Sequence, residues 1–114
     1  MCTQAQLDKI TSEVTQGAKK ILGDKLRKVI LYGSYARGDY DNESDIDIMV
    51  LADVRDEEVN KLACEIDIVS SNVSLENDML VSVFIKNKQF FDNHLPILPF
   101  YQNVVKDGVE LYAN

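Results

Sequence analysis

The sequence predicts an α/β (α+β) fold, a small sheet with helices packed over one face. Two segments repeat apolar residues at helical spacing, and three short runs rich in Val, Ile and Leu end in glycine or polar turns. Along the chain these segments alternate, as a layered fold requires. With 114 residues, the chain is expected to form one domain, 1–114, with a modest core.

The elements follow in order. Residues 3–22 read as a helix, with Thr3 as its cap, Leu7, Ile10, Val14, Ala18, Ile21 and Leu22 on one face, and Gly23 as its stop. "LRKVILYGS", 26–34, reads as a strand ending at Gly33, and 35–44 as a polar turn. "DIDIMVLA", 45–52, reads as a second strand in which Asp45, Asp47 and Met49 alternate with Ile46, Ile48 and Val50. Residues 54–73 read as a helix with Val59, Leu62, Ala63, Ile66 and Val69 inward, and 79–87 as a third strand. Residues 88–108 read as short helical pieces interrupted by Pro96 and Pro99 and ended by Gly108. Phe90, Phe91, Phe100, Tyr101 and Cys64 are expected in the core, and His94 in a structural or surface place.

Composition narrows the function classes. Hydrophobic residues make up 46% of the chain and charged residues 27%, an ordinary globular balance. The net charge of −7 disfavours non-specific nucleic-acid binding and suits a basic protein partner or a metal-bound nucleotide. No apolar run reaches the roughly 18 residues that a membrane span needs. The opening "MCTQAQLDKI" has no signal-peptide hydrophobic region. Cys2 and Cys64 make neither a disulfide framework nor a metal cluster, so a reducing cytoplasm is the expected location.

The chemistry gathers in "YGSYARGDYDNESDIDIMV", 32–50. Gly33 lets a ligand approach the backbone, and Ser34 offers a hydroxyl and an N–H where a short helical turn can start. Backbone N–H groups there attract phosphate, and Arg37 can add a charge-assisted contact or form a surface ion pair. Gly38 frees the chain to turn. Asp45 and Asp47, two apart on a strand, leave the same face. Carboxylates held that close raise each other's pKa, and a hard cation such as Mg²⁺ removes the penalty. A phosphate cradle facing a carboxylate pair is equipment for metal-assisted phosphoryl or nucleotidyl transfer. The bland alternative is a solvated strand face behind an acid-rich turn, with Asp39, Asp41 and Glu43 simply facing solvent.

Gly-Ser, Ala-Arg-Gly and Ser-Asp-x-Asp, in this order within 30–52, resemble the signature of the polymerase-β-like nucleotidyltransferase superfamily. The short chain is similar to its minimal nucleotidyltransferases, many of which are antitoxins paired with HEPN-type toxins. The resemblance implies a small mixed sheet and attack of an acceptor hydroxyl on the α-phosphate of a nucleoside triphosphate such as ATP. It implies that Gly33, Ser34, Arg37 and Ser44 bind nucleotide and that Asp45 and Asp47 ligate two Mg²⁺ ions. In the antitoxin branch the acceptor is a tyrosine of the toxin, which AMP transfer silences. The family's third carboxylate belongs on a later strand, yet Leu80, Val81, Ser82 and Val83 contain no acid. Asp78 is the nearest candidate, either as a catalytic group or as a strand-entry cap. Glu76 lies just before it, and Asp67 competes if "EIDIV" is strand-like. Without any of them, nucleotide binding can remain while transfer is slow or lost, and neutralisation is then by binding alone.

Overall fold

The computed structural model describes residues 3–41 and 43–114; the expectation for Cys2 lies outside them. Helix α1 (Gln4–Leu22) starts where the Gln6 N–H donates to the Thr3 hydroxyl at 3.1 Å. It buries Leu7, Ile10, Thr11, Val14, Ala18 and Leu22. This three-and-four spacing is the one predicted. A 3₁₀ turn at Gly23–Lys25 leads into strand β1 (Leu26–Tyr32). Next come the one-turn helix α2 (Ser34–Arg37), strand β2 (Ile46–Ala52) and the long helix α3 (Asp56–Asn77). Strand β3 (Val81–Asn87), helices α4 (Lys88–His94) and α5 (Pro99–Asp107), and strand β4 (Val109–Ala113) complete the chain.

The sheet order is β3-β2-β1-β4. β1 pairs antiparallel with both β2 and β4, while β2 and β3 run parallel with α3 as the crossover. That connection suits a parallel pair, which a hairpin cannot join. β4 was not expected from the sequence: it is short, at a sheet edge and largely exposed, so it carries little hydrophobic signal.

Alternation in β2 divides the molecule into two apolar layers. Ile46, Ile48 and Val50 pack with α1 and α3 in the larger core. Met49 and Leu51 point to the other face, where they meet Ile30, Tyr32, Phe91 of α4, and Tyr101 and Val104 of α5. The two long helices thus share one face as predicted, and α4 and α5 add a smaller layer on the other. Phe91 and Tyr101 are buried as expected, but Phe90 and Phe100 are exposed, because each lies on the outer side of its short helix. Cys64 is also exposed rather than in the core, since α3 turns it away from α1 and the sheet.

Two joints fix the sheet ends near the carboxylates. The Ser70 hydroxyl of α3 donates to the Val81 carbonyl at 2.6 Å, tying the helix to the start of β3. At the same end of the sheet, where Val109 pairs with Leu31, α5 meets β4 through Gly108. A Cβ there would lie 2.2 Å from the Val104 carbonyl oxygen and 2.6 Å from Ile30 Cγ2.

Candidate active site

The β1–α2 junction and the start of β2 form one structure. Gly33 adopts φ +77° and ψ −157°, which favours glycine. Its carbonyl accepts from the Ala36 and Arg37 N–H groups, each at 3.1 Å, and closes the single turn of α2. A Cβ on Gly33 would stand 2.6 Å from Asp47 Oδ2. The turn therefore lies directly against the carboxylate. The hydroxyl of Ser34 bonds to no described residue, which leaves it available to a ligand at the same place.

Asp47 is the second residue of the inner strand β2, at the end of the sheet where β1 finishes. Its register partners are Tyr32 on β1 and Ser82 on β3. Burial pushes its carboxyl above the usual range, Asp45 adds to the shift, and Arg37 opposes it. Tyr32 is pushed up to about 12, mainly by burial and then by Asp47. Both effects show a site in which further negative charge is unfavourable unless a cation compensates it. Among the described residues no group of three or more His, Cys, Asp or Glu converges. The donors available to a metal here are the two carboxylates, whose hard oxygens and mutual repulsion suit Mg²⁺.

The remaining predicted residues fall into distinct places. Arg37 pairs with Asp39 at 3.2 Å near the surface, the ion-pair alternative of the sequence reading, and its charge also lowers the Asp47 pKa. Ser44 is engaged in the turn: the Asp41 N–H donates to its hydroxyl at 2.9 Å, and that hydroxyl donates to Asp41 Oδ1 at 3.2 Å. Tyr35 and Tyr40 stack at 4.3 Å, which holds the returning loop beneath α2. Asp78 is the left-handed C-cap of α3, not the first residue of a strand, and it is exposed. Asp67 and Glu76 lie inside α3, so the strand-like reading of "EIDIV" is incorrect. Helix α3 belongs to the layer behind the sheet, away from the Asp47 face. Opposite Asp47 on β3 stands Ser82.

One part of the site was missed in the sequence. A cleft of about 170 Å³ runs from Gly33 and Arg37 to Phe100, Asn103 and Val104 of α5, past Tyr32. A Phe read as core gave no reason to connect α5 with the glycine turn 67 positions earlier (100 minus 33).

The Nucleotidyltransferase domain model matches residues 13–109, most of the chain. The chain belongs to this nucleotidyltransferase family. It is 42% identical over 83 residues to a provisionally named protein adenylyltransferase of Methanocaldococcus jannaschii, covering 73% of this chain and 82% of that one. A second such protein of that organism is 30% identical over 105 residues, covering 92% and 97%. The fold is similar to a Shewanella oneidensis complex of a tri-AMPylated HEPN toxin with an MNT antitoxin. The TM-score is 0.53 at 19% identity, covering 94% of this chain and 72% of that one. The nucleotidyltransferase is of the polymerase-β-like fold. Among the described residues, no helix is long and apolar enough to cross a membrane.

Proposed function

We propose that this nucleotidyltransferase is an antitoxin that moves AMP from ATP to a tyrosine hydroxyl of a HEPN-type partner. The observation that carries the reading is the Gly33 backbone lying against the Asp47 carboxylate. Gly33 and Ser34 bind the β- and γ-phosphates, and Arg37 exchanges its exposed Asp39 partner for a phosphate oxygen. The acceptor oxygen attacks the α-phosphorus, the bond to the β-phosphate oxygen breaks, and pyrophosphate leaves. Asp45 and Asp47 would hold Mg²⁺. When bound, such an ion supplies charge neutralisation on the phosphates and a lower pKa for the acceptor hydroxyl. Asp78, the exposed C-cap between α3 and β3, is the remaining carboxylate proposed to aid deprotonation.

A specific observation favours a second reading. Ser82 stands at the β3 position opposite Asp47 and carries no acid. Without a carboxylate there, removal of the acceptor proton is slow, and neutralisation by binding alone becomes the competing outcome. The net charge of −7 supports a basic partner and salt-sensitive association in either case.

Intact-mass measurement of the protein encoded beside this one, after incubation with both proteins, ATP and Mg²⁺, tests the proposal. Added AMP masses that vanish with Asp47→Asn support transfer. A stable complex with unchanged mass supports binding alone, and no complex removes the antitoxin reading.

A further inference from the structure

We propose that α5 carries the nucleobase subsite: the base stacks on Phe100 and its edge is read by the Asn103 carboxamide. This rests on the nucleotide reading above and adds to it an element outside the signature. The cleft that begins at Gly33 and Arg37 ends at these two side chains, so phosphates on the turn leave the rest of the nucleotide facing α5.

Phe100 is suited to stacking. The residue is 51% exposed, although its neighbours Tyr32 and Tyr101 are buried. Tyr32 meets it edge-on at 5.7 Å and 78°, and Tyr101 lies tilted at 5.9 Å. These contacts set the ring's orientation while the residue stays exposed. Base–aromatic stacking is favourable for any base, because every base has a π-face.

Asn103 supplies discrimination. Three positions after Phe100 on a helix, it shares that residue's side of α5 and lines the same cleft. Its amide makes no hydrogen bond to a described residue. A carboxamide offers a donor and an acceptor in one plane, the combination that pairs with adenine N6 and N7. Val104, buried behind it, closes the floor. The alternative occupant is the protein acceptor, but the continuity with the phosphate turn favours the nucleotide's own base.

Calorimetry with ATP, GTP and inorganic tripolyphosphate, each with Mg²⁺, tests this. Phe100→Ala should weaken ATP about tenfold, as expected for a lost stacking contact, and leave tripolyphosphate within about twofold, an allowance well below the factor of ten that 1.4 kcal/mol represents. Phe100→Leu keeps an apolar side chain on α5 and should show the same selective loss, whereas Phe100→Tyr should restore binding. Asn103→Ala should reduce the preference for ATP over GTP. Equal losses for ATP and tripolyphosphate in the Phe100 variants, or an unchanged ATP affinity with a raised KM for the protein acceptor, would overturn the subsite. A wild-type protein that binds ATP no tighter than tripolyphosphate defeats the subsite alone. One that binds neither defeats the nucleotide reading as well.

Discussion

Gly33 and Asp47 touch: a Cβ placed on the glycine would be 2.6 Å from the aspartate's Oδ2. Gly33→Ala therefore meets two obstacles. The backbone at φ +77° and ψ −157° resists a side chain, and the new methyl displaces the carboxylate. Such strain costs on the order of 1–3 kcal/mol. The variant should melt earlier and bind Mg²⁺–ATP at least about tenfold more weakly, since a loss of 1.4 kcal/mol or more from the displaced turn suffices. Thermal melts and calorimetry check both. Unchanged binding would detach the turn from the phosphates.

Asp47→Asn separates binding from stability. Because the carboxyl's folded-state pKa is raised, its contribution to stability is present at low pH and is lost as pH rises through that raised value. At neutral pH the metal-free protein thus carries an unfavourable charge that asparagine lacks. The variant should melt a few degrees above the parent at pH 7, and the gap should shrink towards pH 4. Mg²⁺–ATP should stabilise the parent and not the variant. Melts across pH with and without Mg²⁺–ATP measure all three.

The Gly33–Asp47 meeting was legible because two local rules converge on it. A glycine–serine pair ending an apolar run places a turn, and alternation in "DIDIMV" puts Asp47 and Ile48 on opposite faces. Pairing of β1 with β2 then aligns Tyr32 with Asp47. The α5 wall was not legible, since Phe100 and Phe91 look alike in sequence and only packing on β1 and β2 distinguishes the exposed ring from the buried one. β4 escaped notice for a related reason: "VELYA" pairs with β1 at the sheet edge and packs only the part-buried Leu111 and Tyr112 on the larger core, a weak hydrophobic signal.

Gly108→Ala probes the α5 wall from a distance. The added methyl would lie 2.2 Å from the Val104 carbonyl oxygen, a backbone atom that already accepts the Gly108 N–H at 2.9 Å. The end of α5 must lift from Ile30, at an overpacking cost of about 1–3 kcal/mol. ATP affinity should fall more than tripolyphosphate affinity, because the helix moves and the glycine turn does not. A variant that loses stability while keeping both affinities would show that the position of α5 is irrelevant to the nucleotide.

Ser82→Asp tests whether the missing carboxylate limits transfer. Ser82 is the β3 register partner of Asp47 and is half-buried, so an aspartate there would join the carboxylate face. The added charge should raise the Asp47 pKa further and lower the melting temperature of the metal-free protein at pH 7, with a smaller loss at pH 4. Mg²⁺–ATP should recover that stability. A carboxylate placed to take the acceptor's proton contributes roughly 10²–10⁴-fold in suitable sites. AMP transfer to the partner, followed by intact mass over time, should therefore accelerate by at least about tenfold, a conservative fraction of that range. If the parent adds no AMP and Ser82→Asp does, the native protein acts by binding and Ser82 is the reason. If both transfer at the same rate, deprotonation is supplied elsewhere, and Asp78→Asn then determines whether the α3 cap supplies it.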